Sequence, residues 1–159
     1  EYSSLTFIAS NELSQPMDIS DKPTTDGGWA EFTLNTYLNT RVHDSFPECW
    51  KQLIKQVRVK SSAGNKSTVS AVSDCYIFIP SVSELDINTN TSPYSNEGTQ
   101  ISHFLNRMPK TRICDNKQYW TRSPSVGWSN YVYSIKDDGN EQPVTSLSAK
   151  HYIRMMISI

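Results

Sequence analysis

The 159-residue chain has no long apolar run, so no spanning helix and no membrane insertion is expected of it. Charge is sparse as well: Asp, Glu, Lys and Arg make up 19% of residues and the formal net charge is −1, which offers nucleic acid no evident attraction. Cysteine is limited to Cys49, Cys75 and Cys114, an odd and widely spaced set that cannot pair completely within one chain and forms no CxxC redox or metal motif. These are read as buried free thiols, with one disulfide left open. There is no G-x-S-x-G, no H-E-x-x-H and no Gly-rich phosphate loop, and His43, His103 and His151 are scattered. The chain begins at Glu1 without a methionine, and it is read as an excised piece of something longer.

What is present suits one domain of residues 1–159, a size at which a chain buries about two thirds of the surface it exposes when unfolded. No metal, disulfide or other cofactor is needed to account for folding. "LTFIAS" at 5–10 reads as a short strand. In "GGWAEFTLNTYLN", Ala30, Leu34, Tyr37 and Leu38 fall at helical spacing. In "SFPECWKQLIKQV", Ser45 and Glu48 stand in the S-x-x-E relation of a capping box, with Pro47 in the first turn and Trp50, Leu53, Ile54 and Val57 on one stripe. The small polar residues of 61–73 read as an exposed loop, and "CYIFIP" as an apolar strand. "SVSEL" repeats the capping pattern with Ser81 and Glu84, and "TQISHFLN" suggests one more short helix. From Tyr119 onward "YWTRS", "YVYSIK", the turn "DDGN" and "HYIRMMISI" read as strands and turns. Helices early and strands late predict an α+β fold.

The phrases "GGW…L…YLN", "FPECWKQLIKQV", "CYIFIPSVSEL", "NEGTQ", "YWTRSP", "DDGN" and "YIRMMISI" occur in one order over nearly the whole chain. They resemble an uncharacterised bacterial and phage domain family whose phrases are GGW…LR.WLN, LFLLS..E, NEG.Q, WWLRSP, V..DG and GVRPA. That family is similar to the C-type-lectin-like fold in the version shared with formylglycine-generating enzyme. The resemblance implies early helices, a small and mostly antiparallel C-terminal sheet, and ligand-binding residues on the loops and outward face of that sheet. Some members of this fold in phages and bacteria are diversified there by retroelements. The chain departs from the family at Phe32, where a helix-capping Ser is common, at Asn35 in place of Arg, and at Met155 in place of the final Pro.

Catalysis does not carry over from this resemblance. The formylglycine-generating relatives use two nearby cysteines in the C-terminal part, whereas here only Cys114 lies beyond Cys75. A hydrolase assembled from separated Ser, His and Asp residues stays an alternative, because such triads are recognised by geometry. "WSN" precedes "QPV", the reverse of the sugar-binding lectin order and without its carboxylates. Asp86, Asn88, Asn90 and Glu97 occupy positions 1, 3, 5 and 12 of an EF-hand-like loop, but Thr91 stands where that loop needs Gly and Pro93 interrupts it. No metal site is expected.

"YWTRSPSVGWSNYVYSIKDDGN" at 119–140 sets five aromatic rings among Ser, Asn, Gly and Asp, the mixture of rigid contact area and adaptable hydrogen bonding that recognition loops use. Aligning "YSIKDDGN" with the family's V..DG phrase turns Ile135, Tyr133 and Tyr131 inward, and Val132, Ser134 and Lys136 outward. Trp120 and Arg122 belong to the WLRSP-like phrase and are expected to be scaffold, Trp by packing and Arg by pairing or bonding carbonyls. The ligand-binding candidates are Ser125, Val126, Trp128, Ser129, Asn130, Val132 and Ser134. The expectation is a non-enzymatic recognition domain on a bacterial surface or phage particle, extracellular, binding a cell-surface protein or glycan. A structural spacer in a larger surface or virion protein is the alternative. A calcium chelator is expected to leave the thermal unfolding midpoint unchanged; a drop would point to a metal among Asp86, Asn88, Asn90 and Glu97.

Overall fold

The two ends of the chain meet in one sheet, as seen in the computed structural model, which describes residues 5–67, 69–87, 97–99, 101, 103–104, 108–125, 127–144 and 146–159. Strand β1 (Thr6–Ile8) pairs antiparallel with the last strand, β8 (Met156–Ser158), and β8 pairs on its other side with β4 (Ile77–Phe78). A second sheet is the hairpin of β2 (Val57–Ser62) and β3 (Ser70–Cys75). The third is the meander β5 (Tyr119–Pro124), β6 (Val132–Ile135) and β7 (Glu141–Val144), with a register shift between Trp120 and Pro124. Few helices and small antiparallel sheets make this a mixed α+β architecture.

Helical structure is concentrated early. A 3-10 turn (Gly28–Glu31) leads into α1 (Thr33–Tyr37), which runs through a π-helical turn (Leu38–Val42) into α2 (His43–Ser45). Leu34 and Leu38 are buried on its inner face, while Tyr37 is exposed. Phe32 stands at the N-cap of α1 without a side-chain capping bond, and its ring is buried instead. The π turn aims Asn39 at β4: its amide nitrogen donates to the Ile77 carbonyl at 2.8 Å, and its oxygen accepts from the Tyr76 and Ile77 amides at 2.7 and 3.0 Å.

The helix expected over 45–57 is reduced to α3 (Glu48–Leu53), and its capping box does not form. Proline disfavours helical backbone in the residue before it, so Phe46 is extended (φ −70°, ψ 144°) and Ser45 closes α2 through the Val42 carbonyl. Of the expected stripe only Ile54, the extended residue just past the end of α3, is buried; Trp50 and Leu53 remain 50% and 55% exposed, and Val57 opens β2. The exposed loop expected over 61–73 is corrected too, because both strands of the β2–β3 hairpin extend into it. Its serines form strand because Ser61 and Ser62 find buried partners, which a hydrophobic pattern does not register. The helix expected over 99–106 lies partly outside the described residues; the described part is a turn in which the Phe104 amide donates to the Ile101 carbonyl at 2.9 Å. Ser81 and Glu84 do make the reciprocal bonds of a capping box, at 3.1 and 3.0 Å, around a turn rather than a helix. Cys75 and Cys114 are buried free thiols, whereas Cys49 is exposed.

Two apolar cores result, one on each side of the meander. The larger contains Trp29, Phe32, Leu34, Leu38, Trp120 and Val132. The smaller contains Leu85, Phe104, Tyr119, Tyr133 and Ile135. Neighbouring residues Tyr119 and Trp120 thus enter different cores, as side-chain alternation requires. The Trp120 indole also donates to the Met17 carbonyl at 2.8 Å. Trp120→Ala is therefore expected to cost about 3 to 5 kcal/mol of stability, read from urea unfolding; a loss under about 1 kcal/mol would contradict this packing.

Candidate functional site

Three loops meet at one buried threonine. The Thr25 amide and hydroxyl both donate to the Ser129 carbonyl, at 2.7 and 3.0 Å, and the same hydroxyl accepts from the Asn65 amide at 2.8 Å. Gly64 follows from this approach: its φ is +67°, and a Cβ there would fall 1.7 Å from the Thr25 carbonyl oxygen. The 125–131 loop is closed at its base by the Ser125 amide, which donates to the Tyr131 carbonyl at 2.8 Å. At its tip Trp128 is 58% exposed, with the half-buried Tyr131 as its ring neighbour, centroids 5.4 Å apart at a 40° tilt. Gly127 is exposed, and Ser129 and Asn130 are half-buried.

The expected ligand residues separate accordingly. Trp128, Ser129 and Asn130 lie together on the loop, though the Ser129 carbonyl is occupied by Thr25. Ser125 is buried and contributes the closing amide. Val126 lies outside the described residues. Val132 and Ser134 are corrected, since both are fully buried rather than facing outward. β6 is the central strand of its meander, and both of its faces are covered. Val132 packs into the larger core, and the Ser134 hydroxyl accepts from the Gln118 amide nitrogen at 2.7 Å and lies 3.3 Å from the Gln142 carbonyl. Thr25 and Tyr131, which hold and flank Trp128, were missed as site residues. A lone Thr in a polar loop carries no sequence signal for such a role.

Behind this loop, β5 carries Arg122, also fully buried. Its guanidinium grips both oxygens of Glu84, at 2.6 and 2.7 Å, and donates to the carbonyls of Ile79 (2.7 Å), Lys60 (3.1 Å) and Glu97. Glu97 adds a second buried carboxyl, accepting from the Ser62 amide at 2.7 Å and from the Ser123 hydroxyl. Gly98 is demanded by the same cluster: at φ +123°, a Cβ would lie 2.4 Å from a Glu84 carboxylate oxygen. Among the described residues no group of three His, Cys, Asp or Glu side chains is placed to hold a metal ion. His43 stacks on Tyr76, and His151 packs edge-on to Trp120. Burial raises the Cys75 thiol and pushes that of Cys114 up to about 12, which disfavours the nucleophilic thiolate.

Small antiparallel sheets around two cores, with the aromatic tip of the 125–131 loop standing out of them, make up this α+β domain. The chain belongs to the family described as "Domain of unknown function (DUF6273)", whose model matches residues 3–159. No curated protein and no solved structure matches it. Among the described residues no helix is long and apolar enough to cross a membrane.

Burial pushes the Glu97 carboxyl from its ordinary 4.5 up to about 7, against the lowering effect of Ser123, Ser62 and Arg122. A native value above the unfolded one means that the native state holds the extra proton between those limits. The associated stability is fully present below about pH 4.5 and is lost as the pH rises through about 7, a span of about 3 kcal/mol. Glu97→Gln keeps an acceptor for the Ser62 amide and removes the titration. The variant is expected to gain on the wild type in urea unfolding between pH 5 and 8 (about 3 kcal/mol overall). Parallel pH profiles for the two proteins would rule this out.

Proposed function

We propose that this chain is a non-enzymatic recognition domain of C-type-lectin-like fold, displayed on a bacterial surface or a phage particle, which binds a cell-surface protein or glycan through the loop around Trp128. One observation carries the reading: a 58% exposed indole on a loop closed at its base and tied to two others through Thr25. A large ring left in solvent contributes nothing to the cores, and aromatic rings on rigid supports are the groups that dominate recognition interfaces. Holding the ring in advance lowers the ordering cost on binding. The pairing of the first and last strands, with a terminal meander bearing the loop, is consistent with the C-type-lectin-like assignment.

Trp128→Ala is expected to weaken binding by about 2 kcal/mol or more while changing stability by less than about 0.5 kcal/mol. Wild type and variant are compared on a glycan array, on intact bacterial cells and in thermal unfolding. Unfolding of the variant would make Trp128 a core lid. Equal retention of wild type and variant would remove this loop as the recognition face. A spacer domain predicts no ligand for either protein.

A further inference from the structure

A groove of about 600 Å³ runs along the free edge of β2, within the size range of ligand sites. Its lining includes the four consecutive residues 57–60, so it follows the edge of the strand and not one face. The Ala63 amide donates to the Val69 carbonyl, which makes the odd-numbered residues of β2 the hydrogen-bonded partners of β3. The even-numbered backbone groups therefore point into the groove. Two of them are taken: the Lys60 carbonyl by the Arg122 Nε and the Ser62 amide by Glu97. The Arg58 amide, the Arg58 carbonyl and the Lys60 amide have no partner among the described residues. The floor is one face of the terminal sheet, with Thr6 beside Ser158 and Phe78 beside Met156.

We propose that this groove captures an extended peptide of a partner protein, which adds to β2 as a further strand and carries carboxylate side chains at alternate positions. The three free backbone groups suit a guest strand in either direction, and the Arg122 Nε on the Lys60 carbonyl stops the ladder there. Charge sets the composition of the guest. The side chains of Arg58 and Lys60 are exposed, and guest residues on the same face lie beside them. Arg58 has only Asp74 at 3.7 Å, and Lys60 stands opposite Val72 with no acid in contact among the described residues. Glu84, the one carboxylate in the lining among the described residues, is already neutralised by Arg122. Edge lysines commonly guard against pairing, but Lys60 repels only a cationic guest and attracts one that carries carboxylates beside it.

The test uses a fluorescent pool of short blocked peptides with glutamate at alternate positions, and a matched pool with lysine. The glutamate pool is expected to bind and the lysine pool to fail, and Lys60→Glu should weaken binding about tenfold or more. Hydrogen exchange on the wild type, which needs no variant to fold, is expected to slow at the Arg58 and Lys60 amides when peptide is added. Trp128→Ala should leave peptide binding unchanged, which keeps this outcome distinct from that of the proposed recognition face. Equal binding of the two pools, no binding of either, or unchanged exchange at those two amides would overturn the proposal.

Discussion

Arg122 is a cation held entirely out of water, and most of the central architecture answers to it. A guanidinium has five N–H donors, and here it meets three carbonyls and both oxygens of one carboxylate. Those acceptors come from β2, the end of β4, the capped turn at Ser81 and the segment at Glu97, so one side chain joins four pieces of chain to β5. Removing it would leave Glu84 buried and unpaired, a far larger penalty than the net worth of the ion pair itself. Arg112 and Arg154 repeat the device on a smaller scale. Arg112 donates to the Leu85 and Asp86 carbonyls, and Arg154 to the Ala9 and Arg112 carbonyls. With strands of two to six residues, ladder bonds are few, and arginine donors satisfy buried carbonyls that strand pairing leaves over.

Packing the meander between two cores has a functional consequence. Val132, Tyr133, Ser134 and Ile135 are all buried, so no face of β6 is available to a ligand. Exposed aromatic surface is displaced onto the connection between β5 and β6, where Trp128 stands. Such a division lets the loop tip vary in sequence with little effect on the cores, because its support comes from backbone groups: the Ser125 amide, the Tyr131 carbonyl and the Ser129 carbonyl.

Legibility followed the range of the interaction that decides each element. The α+β class, the strands around Thr6, Ile77, Tyr119 and Val132, and the buried Leu34 and Leu38 were readable because apolar periodicity reports burial directly. Ser81 and Glu84 were readable as a pair because a capping box is local. The identical spacing of Ser45 and Glu48 failed because Pro47 forces Phe46 into extended backbone. The hairpin of Ser61, Ser62 and Ser70 was not readable, since its burial rests on hydroxyl and amide bonds to distant residues.

By itself the sequence determined that a folded chain of this kind would place rings and short polar groups together near residues 119–140, and that Arg122 would need carbonyls or an acid. Tertiary structure alone decided which of those rings stay in water. Alternation distinguishes the two faces of a strand but does not say whether one or both are covered: one core takes Tyr133 and Ile135, the other takes Val132 on the opposite face, and Gln118 and Gln142 cover Ser134 there. It also decided that Thr25, distant in sequence, holds the Trp128 loop, because a hydrogen bond across 104 positions leaves no mark on the residues between.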